Sequence, residues 1–390
     1  MRIAIVAHSA YPSEPRNRRM AEALKEAGHD VTVICLRQPG QAAEDTVSDI
    51  HAFRLPVVHR QGVGAVASVK EYADFFWRAG AKLRDLHRSA PFQLVQVYNP
   101  PDALAFCAFP LKLHGVPLVL DLRELTPELF MSRFSLPRRS AVVYGLKVLE
   151  RWACAYADAV VVLHERHRRI MLGRGVPAHK LTQVMNCPDE RLFDPATMPS
   201  RRPPDGRYVV IYHGAIVRRY GVDLLVEAVA SVRQDIPGIQ LELYGGGDLL
   251  PEIEHLVMQR GLMESVNCRG HQPLEAMPAA IAAADVGMAP MRQDVFTDCV
   301  LPTKLLEYVT LGLPVIAART ATTTDYFDES MVLLHTPGDA ADLAHKLLAA
   351  YRDPAAAQAR AECARRFTFA HNWRSESAAY LHLIRQLTGA

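Results

Sequence analysis

No run of about 18 uninterrupted apolar residues occurs in this chain, which argues against a bilayer-spanning helix. An excess of charge of one sign is also missing. Among 390 residues, 44 Lys and Arg stand against 42 Asp and Glu, a net charge of +2. A polyanion such as nucleic acid is therefore not the expected partner. Cysteine is sparse: seven residues, at 35, 107, 154, 187, 268, 299 and 363, with no Cys-x-x-Cys pair. That odd, scattered set excludes a disulfide framework or zinc ribbon and points to reduced thiols in the cytoplasm. The first residues, MRIAIVAHSAYP, hold one basic residue and a short apolar run. They read as a buried strand and not as a cleaved signal. No fibrous repeat or disordered composition is present: 49% of residues are hydrophobic and 22% charged, as in globular proteins.

What is there is an alternation. Apolar runs of strand length (RIAIVAH, DVTVICL, HAFRLPV, FQLVQVY, PLVLDL) are separated by amphipathic stretches, the longest over 65–90. Strands apolar on both faces, with helices between them, imply a parallel sheet covered on both sides. The segment MPSRRPPDGR (198–207), rich in proline and charge, interrupts the rhythm as a domain linker would. It restarts with YVVIYHG, IQLELYG, SVNCRG, VGMAP and PVIAA, again with helical patterns between. Two open α/β domains facing a cleft are expected, and ligands in such folds bind beyond the carboxyl ends of the strands. Charge is shared unevenly: 26 Lys and Arg against 20 Asp and Glu in residues 1–195, and 18 against 22 in 196–390. That pattern fits either an anionic surface met by the first half or ordinary scatter.

The segment PMRQDVFTDCVLPTKLLEYVTLGLPVIAAR carries the most chemistry. Pro302 and Thr303 begin a helix whose first amide N–H groups are unpaired. Lys304 in that first turn opposes the macrodipole, which makes sense where an anion shares the site. Glu307, one turn on, is placed to accept the hydroxyls of a ribose. The alternative is a surface Lys–Glu pair. Elsewhere, three successive glycines (245–247) lack the Gly-x-Gly-x-x-Gly spacing of a dinucleotide site. HERH (164–167) lacks the zinc order His-Glu-x-x-His and reads as a solvated helix start. No Asp-x-Asp string is present to hold a metal.

The 290–318 segment resembles the donor-binding motif of the family 4 retaining glycosyltransferases, which have the GT-B fold of two Rossmann-like α/β domains. Glu307 matches the second of that family's two glutamates, and Gly312, Pro314 and Val315 match its tail. Cys299 stands at the first glutamate, with Asp298 beside it as a replacement. The resemblance extends along nearly the whole chain and implies domains over 1–197 and 198–368, with 369–390 as a helix crossing back. YHGAIVRRYGVDLLVEAV (212–229) is similar to the family's diphosphate-holding loop: Gly214 allows close approach, Arg218 and Arg219 are the cations, and Arg219 is favoured.

The same resemblance places Tyr244, Gly245, His271, Leu301, Thr303 and Leu305 along the donor. From the first half, Arg16, with Arg18 and Arg19 near it, faces the phosphates, or else forms a basic solvated helix start. Asn99 and Asp102 resemble acceptor-side contacts. Arg123, followed by Glu124, stands where family members carry a histidine against the transferred sugar. A guanidinium cannot act as a base but can hydrogen-bond a sugar, an acceptor anion or a phosphate.

The activity implied is metal-independent retaining transfer, with Arg219, Lys304, Glu307, Arg123 and Asp298 as catalytic candidates and no cofactor. The donor is a nucleotide diphosphate sugar, a UDP-sugar favoured over a GDP-sugar. The acceptor is a glycan, a lipid-linked precursor or a small molecule. Trp77, Phe75 and Phe76 on the 65–90 helix are either a peripheral contact with the inner membrane face or core. A non-catalytic nucleotide-sugar-binding paralogue and a sugar-nucleotide epimerase of the same fold are the alternatives.

Overall fold

The computed structural model of the chain describes residues 1–58, 64–198 and 206–389. It divides into two compact units, Met1–Asn186 with Arg374–Ala390, and Cys187–Trp373. Most of the proline-rich segment expected as a linker, 199–205, lies outside the described residues. No helix among the described residues is long and apolar enough to cross a membrane.

The first unit is built on an eight-stranded sheet. Its strands are β1 (Arg2–Ala10), β2 (Asp30–Leu36), β3 (Glu44–Val47), β4 (Ile50–Leu55), β5 (Leu94–Tyr98), β6 (Leu118–Leu122), β7 (Ala159–Val162) and β8 (Leu181–Gln183). They lie in the order β3-β4-β2-β1-β5-β6-β7-β8. All pairings are parallel except that of β3 with β4, a short antiparallel edge. The central strands are buried on both faces, which is why they read as continuous apolar runs. The helix Pro15–Glu26 starts where it does because Pro15 occupies its first turn and the Glu14 carboxylate accepts from the Asn17 amide at 2.8 Å. The last helix, Trp373–Thr388, belongs to this unit. Its Glu376 accepts from the Met185 amide at 2.7 Å, and its buried Tyr380 donates to Gln96 on β5.

The second unit holds six parallel strands: β9 (Tyr208–His213), β10 (Ile239–Tyr244), β11 (Val266–Gly270), β12 (Val286–Ala289), β13 (Val315–Ala318) and β14 (Leu333–His335). Their order is β11-β10-β9-β12-β13-β14. Numbered within the unit this is 3-2-1-4-5-6, the doubly wound order, in which the direction of winding reverses between β9 and β12. Val210, Leu225, Val229, Leu241, Ile253 and Leu347 belong to the apolar core of this unit.

The HERH string does begin a helix, Glu165–Gly173, with His164 at its cap. His164 and His167 are buried, however, so that start is packed and not solvated.

Candidate functional site

In the second unit the expected donor residues meet at the carboxyl ends of β9 and β12, where the winding reverses. β9 ends at His213, followed by Gly214, a short 3-10 turn at Arg218–Tyr220 and the helix Val222–Val232. After β12 the chain runs to Pro302, the cap of the helix Thr303–Thr310. No side chain caps that helix start, and its first turn holds no acid. The Leu305 amide donates to the Pro302 carbonyl at 3.1 Å, whereas among the described residues those of Thr303 and Lys304 have no partner and remain available to an anion.

Lys304 and Glu307 are not a surface pair, since they are only 8% and 6% exposed. The Lys304 ammonium lies 4.7 Å from the Tyr212 ring centroid and 5.1 Å from that of Tyr220. Among the described residues no carboxylate comes within ion-pair distance of it. Burial pushes its pKa down to about 8, partly opposed by the charge of Glu307. The Glu307 carboxylate lies instead beside His213, Oε2 at 2.9 Å from Nε2, an approach without hydrogen-bond geometry. The His213 ring stands edge-on to Tyr308, their centroids 5.2 Å apart.

The two adjacent arginines separate cleanly. Arg218 is exposed and pairs with Glu252, at 2.6 Å from Oε1. Arg219 turns the other way: its guanidinium lies 5.2 Å from the Tyr220 centroid and 5.4 Å from that of Phe296. Its Nε is buried without a hydrogen-bond partner. The turn carrying it is held by Arg292, whose amide donates to the Arg219 carbonyl at 2.9 Å. The Arg292 guanidinium forks onto Asp223 at 2.7 Å on both oxygens and donates to the Arg218 carbonyl at 2.8 Å.

Glycine is required at two neighbouring positions. A Cβ on Gly245 would lie 2.0 Å from the Gly214 carbonyl oxygen, so the loops after β9 and β10 touch backbone to backbone. Gly214 itself has φ 113°, and a Cβ there would sit 3.3 Å from Lys304 Nζ. Close approach at Gly214 thus makes room for the lysine. The Gly214 amide donates to the Tyr244 carbonyl at 2.9 Å, and Tyr244 is half-buried.

The other expected donor contacts scatter. Leu301 and Leu305 are core residues, whereas Thr303 and His271 are exposed. Asp298 serves the backbone: its Oδ1 accepts from the Ala321 amide at 3.1 Å, and its carbonyl accepts from Thr322. It ties the segment after β12 to the start of the helix Ala321–Tyr326. Cys299 is buried, its thiol donating to the Val295 carbonyl at 3.4 Å.

In the first unit Arg16 is buried, neither solvated nor left with a free face. It forks onto Asp121 at 2.9 to 3.2 Å and donates to the Val184 carbonyl at 3.1 Å. Removing one partner of such a pair costs about 3–5 kcal/mol, because the other charge is stranded. Asn99, just beyond β5, spends its amide on the loop after β6. Its oxygen accepts from the Arg123 and Glu124 amides at 2.7 and 3.3 Å, and its nitrogen donates to the Glu124 carbonyl at 2.6 Å. Asp102, fully buried, accepts from Asn99 at 2.8 Å, and burial raises its pKa to about 6. Arg123 pairs with Glu14 at 3.2 Å. Asn99 and Asp102 therefore position the 123–124 backbone.

Sequence reasoning missed His213, Arg292 and the ring of Tyr220. It also missed His8, near the end of β1, whose Nε2 lies 3.0 Å from Glu71. The one signal available for His213 was its place as the last residue of an apolar strand before a glycine.

Comparison with known proteins agrees with this reading of the two units. Residues 13–187 match the glycosyl transferase 4-like domain, and 207–353 match the glycosyl transferases group 1 domain. The 2-deoxystreptamine glucosyltransferase of Streptomyces kanamyceticus is 26% identical, covering 86% of this chain and 89% of its own. The fold is shared with sucrose-phosphate synthase from Thermosynechococcus elongatus, at TM-score 0.79 and 21% identity, covering 100% of this chain and 99% of that one. It is shared also with Anabaena HepE in complex with UDP-glucose, at TM-score 0.71 and 16% identity, covering 99% and 100%. With both halves of its length matched in this way, the chain belongs to the family 4 glycosyltransferases of GT-B fold.

Proposed function

We propose that the protein transfers a sugar from a nucleotide diphosphate donor, a UDP-sugar in preference to a GDP-sugar, with retention at the anomeric carbon and without a metal. One observation carries the reading. Lys304 and Arg219 share the ring of Tyr220, at 5.1 and 5.2 Å, and among the described residues neither is paired with a carboxylate. Two such cations, Lys304 buried and Arg219 half-buried, call for an anion, and a diphosphate supplies one of the right size. The presence of UDP-glucose in the HepE structure supports the choice of donor.

As the bond between the anomeric carbon and phosphate oxygen breaks, charge grows on the diphosphate, where Lys304, Arg219 and the amides of the 303–310 helix stabilise it. Glu307, whose carboxylate lies beside His213 with a buried oxygen that has no hydrogen-bond partner, accepts from the ribose hydroxyls. The acceptor oxygen bonds the same face of that carbon, and its proton passes to the departing phosphate oxygen. Arg123 and Glu124, set by Asn99, serve the acceptor, which is a glycan, a lipid-linked precursor or a small molecule.

The test is a thermal shift with UDP, GDP, ADP and TDP, followed by NMR assignment of the product anomer. A shift confined to UDP and an anomer matching the donor are expected, since a ligand of the folded state raises the midpoint. Inversion sinks the mechanism. A second reading, nucleotide-sugar binding without transfer, draws on the buried thiol of Cys299 and the backbone duty of Asp298. UDP-sugar binding with no turnover for any acceptor would favour it.

A further inference from the structure

The helix Ala141–Tyr156 carries apolar side chains outward as well as inward. Val143, Glu150, Ala153 and Cys154 are buried against the first unit. Outward stand Val142, Tyr144 and Trp152, exposed to 55%, 72% and 62%. At the helical period the half-buried Val148 and Leu149 fall on that same outer side. A helix in water carries its apolar stripe inward and its charges outward. Here the only acid of the helix, Glu150, is among the buried residues, held by Arg174 at 2.6 and 2.8 Å. The charges left at the surface are all positive: Arg138 and Arg139, exposed just before the helix, then Lys147 and Arg151 along one flank.

The helix Ala65–Ser89 makes the contrast. It too displays a tryptophan, Trp77, at 73% exposure, but Phe75 is fully buried core. Around Trp77 its surface is laced with ion pairs: Asp74 with Arg78 at 2.6 Å, Lys82 with Glu44 at 3.0 Å, and Arg84 with Asp85 at 3.6 Å. That is a face made for water. Among the described residues the 141–156 helix has no such pairing on its outer side.

We propose that this helix face is the docking surface of the protein for an anionic lipid bilayer. Tyr144 and Trp152 sit at headgroup depth, and Arg138, Arg139, Lys147 and Arg151 rest on lipid phosphates. Aromatic residues favour the interface between hydrocarbon and water, and clustered cations are drawn to an anionic leaflet. Charge decides the occupant. Two copies paired across this face would bring Lys147 and Arg151 of each against the other, with no exposed acid of the helix to separate them. A negative lipid surface meets all four cations at once.

Flotation of the full chain with two kinds of vesicle tests the proposal, one phosphatidylcholine alone and one with roughly a third phosphatidylglycerol. Binding to the anionic vesicles only is expected, weakening as salt rises. Trp152→Glu, and separately Arg138→Glu with Arg139→Glu, are each expected to lower it about tenfold or more. Their melting curves and UDP binding stay those of the parent, which separates this surface from the donor site. Equal binding to both vesicles, binding to neither, or binding that survives both variants overturns the proposal. So does a dimer that Trp152→Glu dissociates, which would assign the face to a second copy.

Discussion

Replacing Lys304 with methionine is expected to make the unliganded protein more stable while weakening its hold on nucleotide. Burial takes the ammonium from 10.5 to about 8. Below pH 8 both folded and unfolded chains carry the charge, and the folded state bears the whole penalty. At about 1.36 kcal/mol per unit this is roughly 3 kcal/mol. Cation–π contact with Tyr212 and Tyr220 returns about 1 kcal/mol. Methionine, similar in length and apolar, is thus expected to gain about 2 kcal/mol, or roughly 4–8 °C for a unit of this size. The sign with pH follows from the lowered value. Between 8 and 10.5 the folded lysine is already neutral while the unfolded one still binds a proton, so stability rises with pH. The advantage of the variant therefore shrinks, roughly by half or more at pH 9.5. Melting of both proteins by circular dichroism at pH 7 and pH 9.5 measures this directly. A variant that melts below the parent at pH 7, or a gap indifferent to pH, would refute the argument that Lys304 is a buried charge awaiting an anion.

UDP binding is expected to hold steady below pH 8 and to weaken by up to about tenfold per unit above it, as calorimetry across that range would record. Arg219→Ala should weaken UDP binding more than about tenfold, whereas Arg218→Ala, whose parent side chain is paired with Glu252 at the surface, should change it less than about twofold. Gly245→Ala drives a methyl to 2.0 Å from the Gly214 carbonyl oxygen at a backbone φ of 128°, so a loss above about 2 kcal/mol is expected in urea melts. Asn99→Ala strands the Arg123 amide and should cost about 1–3 kcal/mol, with transfer to acceptor falling further than hydrolysis of the donor.

The parts of the fold that read well from sequence are those where burial is on both sides. Strands such as Ile3–Ala7 and Val210–Tyr212 are continuous apolar runs because helices cover both faces. The edge strand Glu44–Val47 escaped because EDTV is polar and faces water. At the site, Lys304 and Glu307 stood out through the resemblance to a donor motif, with a first-turn cation opposing the dipole beside it, and what sequence left open, a surface pair, is closed by their burial. The fate of Arg16 was not, since its partner Asp121 lies far along the chain and nothing local announces the pairing. Asp298 was misleading for a similar reason: its carboxylate answers an amide at residue 321. Arg218 and Arg219 are alike in sequence, and only the path of the 3-10 turn sends one to Glu252 and the other to Tyr220.

The central claim is that the carboxyl ends of β9 and β12 hold a diphosphate between Lys304, Arg219 and an open helix start. Calorimetric titration of UDP and of uridine into the parent protein and the Lys304→Met variant at pH 7 tests it most directly. Firm binding of UDP to the parent, much weaker binding of uridine, and a preference for UDP over uridine that falls about tenfold or more in the variant are expected. Equal affinity of the parent for UDP and uridine, or UDP binding untouched by the substitution, would contradict it.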